Sequence, residues 1–349
     1  MIYPVSPQQL FELKSRFPVI DVRSPGEYAM GHIPGAVNLP LFNDQERAEV
    51  GTRYKRAGRD AAFLIGLDFV GVKMSGFVKK LQSICQGKPN EVVVHCWRGG
   101  MRSGSMAWLF SSAGYKVHLL EGGYKAYRAY IRAESGIGAP MIVLGGMTGS
   151  GKTGILNELK KMGQQVIDLE GLAHNKGSVF GYLGQIEQPT NEQFENNLYD
   201  EWVKLDHSKP VWLEDESRSV GAVGIPGPFF DRMKQQSMIL IQVPHEIRVE
   251  RLIVEYAGFD KKMLIDALTK IAQPIGGLAY KEAVVAIEED RFAPAISLVL
   301  GYYDKTYLKA LKKFSNRSVF EIETNTGDVC QNAKLVLPVA DKIISQLTH

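Results

Sequence analysis

At 349 residues the chain exceeds one typical domain, and roughly 100–200 residues per domain predicts two units, each able to bury a core. Hydrophobic residues at 45% and charged residues at 23% exclude a disordered chain or a disulfide scaffold, and a net charge of +3 leaves nucleic-acid binding to local basic patches. No apolar run approaches the ~18–20 residues that span a bilayer, and the start "MIYPVSPQQL" lacks the regions of a secretory signal, so a cytoplasmic protein with no membrane partner is expected.

In chain order, "PVIDVR" (18–23), "EVVVHC" (91–96) and "KVHLLEGG" (116–123) read as short buried strands, with helical stretches such as "MRSGSMAWLFSSAG" between them. That alternation predicts an α/β unit with a parallel sheet. "GGYKAYRAYIRAE" reads as an amphipathic helix, and "SGIGAP" (135–140) reads as the linker after it. A second strand–helix series follows in "MIVLGG" (141–146), "QQVIDLE" (164–170), "PVWLEDE" (210–216) and "SMILIQVP" (237–244), after which 246–315 is mostly helical by pattern. The expected units are 1–134 and 139–349, the second an α/β domain with a helical C-terminal region.

Of the three cysteines, Cys85, Cys96 and Cys330, none forms a CxxC pair, which argues against a disulfide framework or a zinc site. Cys85 and Cys330 read as packing residues. Cys96 closes an apolar strand and precedes "WRGGMRS", at the carboxyl edge where open parallel sheets bind ligands. Gly99 and Gly100 let the loop curl, and a helix starting near Arg102 or Ser103 aims its amides at one spot. With Arg98 and Arg102 beside them, these amides define an anion-binding loop that favours a Cys96 thiolate nucleophile. The plain alternative is a buried strand-end cysteine.

"DVRSPGEYAMGHIPGAVNLP" (21–40) and "LEGGYKAY" (120–127) resemble segments of rhodanese-type domains, which implies that Cys96 is catalytic and that Asp21, Arg23, Glu27 and His32 are structural. The five residues between Cys96 and Arg102 match the loop length of tyrosine phosphatases and of rhodanese-fold phosphatases, one longer than in sulfurtransferases. Phosphatase chemistry therefore stays open for this half.

"GMTGSGKT" (146–153) satisfies G-x-x-x-x-G-K-[ST] between an apolar strand and a helical run, the context that makes it a P-loop. Amides around Gly146, Thr148, Gly149, Ser150 and Gly151 cradle a diphosphate, Lys152 neutralises it, and Thr153 holds Mg²⁺ where a metal accompanies it. Asp168, Glu214 and Asp215 at strand ends, with Arg218, Arg248 and Arg251, are further candidates for phosphate or metal contact, although a helix cap explains Glu214 and Asp215 as well and a solvated surface explains Arg248 and Arg251. The loop does not say which diphosphate ester it holds, ATP, GTP or another. No metal is required by the pattern.

Beyond the two motifs, "YKRAGRDAA" (54–62), "DLEGLAHNKGSVFG" (168–181), "QPTNEQFEN" (188–196), "WLEDESRSVG" (212–221) and "YYDKTY" (302–307) resemble the tRNA 2-selenouridine synthase family over nearly the whole chain. A local departure is Asn175 and Lys176, where that family has histidine and arginine; His174 and Lys176 are carried over as ligand contacts. The resemblance implies replacement of sulfur by selenium in the wobble 2-thiouridine of tRNA, with selenophosphate as donor and a selenophosphate-producing enzyme as partner. It also implies attachment of a geranyl group from geranyl diphosphate to that sulfur. Basic runs at 53–59, at Lys125, Arg128 and Arg132, and at 305–314 fit phosphate contact with an anticodon loop, and each also fits a solvated helix face. The alternative is a P-loop kinase or ATPase fused to a sulfurtransferase or phosphatase module.

Overall fold

The computed structural model describes residues 1–313 and 317–347, and side chains as far as Ser345. The chain divides into two compact units, Met1–Glu134 and Ser135–His349.

In the first unit five parallel strands form one sheet, β1 (Ile2–Val5), β2 (Val19–Asp21), β3 (Val37–Asn38), β4 (Glu91–His95) and β5 (Lys116–Leu120), in the order β1-β5-β4-β2-β3. The β-branched run Val92, Val93 and Val94 is fully buried in the central strand β4, as expected of a strand covered on both faces. Strand β1 comes from the opening residues, which the sequence pattern left unassigned. A long helix, Asp44–Gly71, is interrupted at Gly58, whose φ of 83° departs from helical geometry. The exposed basic stretch 53–59 straddles that break.

In the second unit β6 (Met141–Gly146), β7 (Gln165–Val166), β8 (Val211–Glu214), β11 (Met238–Gln242) and β12 (Val319–Glu323) form a parallel sheet in the order β12-β11-β6-β8-β7, with a small hairpin of β9 (Ser219–Val220) and β10 (Val223–Gly224) beside it. The strand leading into the glycine-rich loop therefore lies at the centre, paired on one side with β8 and on the other with β11. The helical region expected from 246 to 315 is present as helices His245–Tyr256, Lys261–Thr269, Ala272–Ile275, Gly277–Glu288 and Phe292–Lys313, packed on their own apolar core. Strand β12 and the helix Val329–Leu347 were not anticipated. Phe314, counted with the basic run 305–314, lies outside the described residues. Among the described residues no single helix is long and apolar enough to cross a membrane.

Candidate active sites

Cys96 follows β4, and the helix after its loop, Met101–Ser112, starts one residue earlier than expected, capped at Gly100. The loop is shaped by glycines at a close backbone crossing. Gly123 has φ of 59°, and a Cβ there would lie 2.4 Å from the Cys96 carbonyl oxygen and 2.5 Å from the Gly99 nitrogen. The amides of Tyr124 and Lys125 donate to the carbonyls of Cys96 and Trp97 at 2.8 and 2.9 Å. That crossing explains why "EGGYK" accompanies the cysteine loop although it begins 25 positions after Cys96 in sequence.

The Cys96 side chain is only 3% exposed. Burial raises its pKa, but the Ser103 hydroxyl, the Arg98 and Ser103 amides and the Arg102 charge together hold it below the ordinary thiol value. Sγ lies 3.1 Å from Ser103 Oγ. The side chain of Arg98, expected to face the anion, is exposed, and this residue acts on the sulfur through its main-chain amide. Arg102 is ion-paired with Glu27, a second donated bond measuring 3.2 Å. Glu27 thus fixes the arginine that flanks the thiolate.

Asp21 and Arg23 form a fully buried pair, Nη2 to Oδ2 at 2.6 Å, with Arg23 also donating to the Gly31 carbonyl and stacking 3.8 Å from the Tyr124 ring centroid. His32 stacks on Tyr28 at 3.9 Å. These contacts tie the 21–33 segment to the cysteine loop's base. Cys85 is buried in the same core cluster as Cys96, with burial pushing its thiol up, whereas Cys330 is half-buried beside the Asp328 turn.

The second site is built on Gly146–Thr153. Gly149 and Gly151 both have φ of 81°, and Gly151 caps the helix Lys152–Lys161, so free amides of the first turn face the loop's concavity. A Cβ at Gly149 would press on Arg248 and Leu252, and one at Gly151 would meet the Arg251 guanidinium at 2.7 Å. Ser150 is buried with its hydroxyl turned inward. Lys152 Nζ donates to the Gly146 carbonyl at 3.0 Å, and Thr153 donates to Glu170 at 3.0 Å.

The loop forms one end of a cavity of about 640 Å³. Its polar end holds Gly146, Thr148, Lys152, Thr153, Glu170 and Arg251. Leu252, Tyr256, Leu264, Ile287, Phe292 and Val299 from the helical region add an aliphatic and aromatic wall, with Lys176, Ser178, Asp215, Glu216, Ser217 and Glu255 as further polar lining. Two of the expected arginines therefore separate in role. Arg251 lines the cavity, while buried Arg248 is bidentate on Asp304 at 2.9 and 2.8 Å and donates to the Thr148 carbonyl at 3.1 Å, bracing the loop from behind. Reading Arg248 as a phosphate clamp overlooked Asp304, which no local spacing pairs with it.

Several acid candidates are also placed differently from their expected roles. Asp168 caps the short helix Leu169–Ala173, accepting from the Gly171 amide at 2.7 Å, so the helix-cap role foreseen for Glu214 or Asp215 belongs to it. Glu214 is fully buried and accepts from the Leu169 amide at 3.1 Å. Asp215 reaches the cavity but is held by Lys234 at 2.7 Å, Arg317 at 2.8 Å and the Tyr307 hydroxyl at 3.1 Å, its carboxyl kept low by those two cations against the cost of burial. Arg218 lies over the Phe230 ring at 5.8 Å and is not among the residues lining the cavity. His174 binds the Glu187 carbonyl at 2.8 Å, away from the cavity, whereas Lys176 lines it, paired with Glu255.

Glu170, read from sequence only as a strand-end acid beside Asp168, lines the cavity, as do Glu216, the third acid of the 214–216 run, and Tyr307, to which no individual role was assigned. Burial raises the pKa of Glu170, Glu214 and Glu216; repulsion from neighbouring carboxylates adds to it at Glu214 and at Glu216, which reaches about 8, whereas Lys152 and the bonds with Thr153 and Glu216 oppose it at Glu170. Tyr307 accepts the Gly146 amide at 3.1 Å, so it tethers the start of the loop to Asp215. The run "YYDKTY" contained both Asp304 and Tyr307, yet only the fold brings them under the loop.

A cysteine in an amide-lined loop after a central parallel strand on one unit, and a glycine-rich strand–loop–helix opening on a cavity in the other, define a rhodanese-like domain joined to a P-loop domain. Residues 6–130 match the rhodanese-like domain family, and residues 139–334 match the family described as tRNA 2-selenouridine synthase AAA domain. The chain belongs to the tRNA 2-selenouridine synthase family. Proteins named tRNA 2-selenouridine synthase are similar to it from Bdellovibrio bacteriovorus, 43% identical over 72% of this chain and 68% of the relative, and from Shewanella sediminis, 35% identical over 88% of this chain and 91% of the relative. One from Shewanella loihica is 34% identical with the same two coverages, 88% and 91%.

Proposed function

We propose that this chain replaces sulfur by selenium in the wobble 2-thiouridine of tRNA in two steps, alkylating the sulfur from geranyl diphosphate and then exchanging the alkylated sulfur for selenium from selenophosphate. One observation carries the first step: the diphosphate cradle opens on aliphatic and aromatic walls. Such walls suit a prenyl chain, whose burial is worth about 0.8 kcal/mol per CH₂.

In the first step the thiouridine sulfur attacks the carbon bearing the diphosphate. The carbon–sulfur bond forms as the carbon–oxygen bond breaks, and the base gives up its N3 proton. Lys152 and the loop amides stabilise the charge that develops on the departing diphosphate. Among the described residues no three His, Cys, Asp or Glu side chains form a ready metal site. The Thr153 hydroxyl and Glu170 are hard oxygen donors lying together, so they would hold Mg²⁺ jointly with diphosphate oxygens. Bound there, Mg²⁺ supplies further neutralisation of the leaving group.

Alkylation matters because a thiocarbonyl sulfur leaves poorly, whereas a thioether sulfur departs as a neutral thiol once selenium has added to C2. Cys96 serves that second step, carrying selenium or assisting the thiol's departure, in a loop whose amides suit an anionic donor. The exposed basic stretch 53–59 and the exposed lysines of 305–313 supply phosphate contacts for an anticodon loop, whose unstacked base can be splayed into a pocket.

The test is ligand-dependent melting of the full chain. Geranyl diphosphate at about 100 times its dissociation constant should stabilise by roughly 2.7 kcal/mol, and ATP or GTP should do so far less. Stabilisation by ATP in preference to geranyl diphosphate would support a kinase or ATPase instead. For the second site, full selenium incorporation by Cys96→Ser defeats the role given to that thiol.

A further inference from the structure

The rhodanese-like unit carries a second apolar recess, which the two steps above leave unused. A groove of about 790 Å³ runs between helix Asp44–Gly71 and helix Met101–Ser112, walled by Phe42, Tyr54, Phe63, Leu67, Met101 and Trp108. The last five of these are 46–60% exposed. A contiguous apolar patch of this kind on a folded unit marks a binding surface.

Its position says what it binds. Met101 and Arg102 line the groove, and the next residue, Ser103, holds the Cys96 sulfur at 3.1 Å. Met106 and Leu109, also in its lining, pack in the core cluster that contains Cys96. The groove therefore begins where the nucleophile loop ends. Its charge is equally specific, since the charged residues of its lining are Arg59 and Arg102, the latter paired with Glu27, and Arg53, Lys55 and Arg56 stand exposed on the helix that carries Arg59. An apolar trough with a cationic rim complements an apolar group tethered to a polyanion. In size it is comparable to the 640 Å³ cavity beside the P-loop.

We infer that this groove receives the prenyl chain of RNA-bound S-geranyl-2-thiouridine while C2 of the base is presented at the Cys96 loop. The inference rests on the two-step scheme. As selenium of selenophosphate bonds to C2, the C2–sulfur bond breaks and the departing thiolate takes a proton from water to leave as geranylthiol, its chain still in the groove; the hydroxide so formed attacks phosphorus, the Se–P bond breaks to release phosphate, and the 2-selenouridine regains its N3 proton from solvent. Holding the chain there orients the leaving group and keeps the modified RNA on the enzyme between steps.

The test uses the full chain, selenophosphate, and anticodon stem-loops carrying either S-geranyl- or S-methyl-2-thiouridine, with 2-selenouridine measured by nucleoside mass spectrometry. Gly104 lines the groove, and a Cβ placed on it meets nothing within 4 Å, so Gly104→Phe fills the groove without a backbone clash. Leu67→Glu puts a charge on the opposite wall. Both variants should lower kcat/KM for the geranyl RNA by about tenfold or more and leave the methyl RNA within about twofold. Geranylation from geranyl diphosphate should be unchanged. Equal loss on both RNAs, or no loss on the geranyl RNA, overturns the groove assignment while leaving the two-step scheme standing. Wild-type protein that selenates neither RNA overturns the scheme itself and the groove with it. A dimer that separates on Gly104→Phe, with the preference between the two RNAs unaltered, shows a contact between copies and overturns the assignment too.

Discussion

The sulfur of Cys96 and the hydroxyl of Ser103 lie 3.1 Å apart, seven residues away from each other in sequence. Ser103 sits in the first turn of the helix that follows the loop, so its hydroxyl and amide both reach the sulfur. The hydroxyl is one of the groups that offset burial and keep the thiol acidic. Ser103→Ala removes it, the thiol becomes less acidic, and alkylation by iodoacetamide at neutral pH should slow by about tenfold, the equivalent of about 1.4 kcal/mol. In the wild type the alkylation rate should rise with pH and level off below the range of an ordinary cysteine. A profile unaltered by the substitution would remove Ser103 from this role.

Gly123→Ala tests the backbone crossing under the same loop. An added Cβ collides with the Cys96 carbonyl and the Gly99 nitrogen, both fixed main-chain atoms, at a φ that side chains rarely adopt. The selenium step should be lost and the first unit destabilised by about 2 kcal/mol or more, read as a lower denaturation midpoint. Geranylation, assigned to the other unit in the proposed scheme, should survive.

Lys152→Ala separates the two sites in the opposite direction. The lysine lies at the polar end of the P-loop cavity, where it would neutralise a leaving diphosphate. Geranylation of 2-thiouridine RNA should fall by about a hundredfold or more, as for other removed charge-stabilising donors. An RNA supplied already geranylated should still be selenated. Unchanged geranylation would take the P-loop out of the mechanism.

Glu216 predicts a pH dependence of stability. Burial, with Glu170 adding repulsion, raises its pKa to about 8 from the ordinary 4.5. Between those values the unfolded chain releases the proton and the folded chain keeps it, so the contribution is complete below pH 4.5 and is lost as pH rises through 8. Glu216→Gln stays neutral throughout. It should therefore raise the melting temperature of the second unit at pH 8 by several degrees, at about 2–4 °C per kcal/mol, and change it little at pH 4.5. Equal effects at both pH values would contradict the shift.

Local rules were enough to identify the two strand–loop–helix cradles, because their chemistry is written in consecutive residues. A cysteine after β-branched residues, paired glycines and a P-loop between a strand and a helix each specify backbone geometry within ten residues, and the α/β order of both units follows from the same periodicity. Strand β1 and strand β12 escaped because each is half-exposed at a sheet edge, where apolar alternation is weak. What the fold alone decided was which charged residues are spent on each other. Arg248 with Asp304, Asp215 with Lys234 and Arg317, and Arg102 with Glu27 are partners 19 to 102 residues apart, so no spacing rule could tell a phosphate clamp from a brace. The apolar walls beside each cradle have the same origin, since they are assembled from helices distant in sequence whose exposed or buried state depends on what packs against them. Short-range sterics set the loops, and long-range packing chose their neighbours.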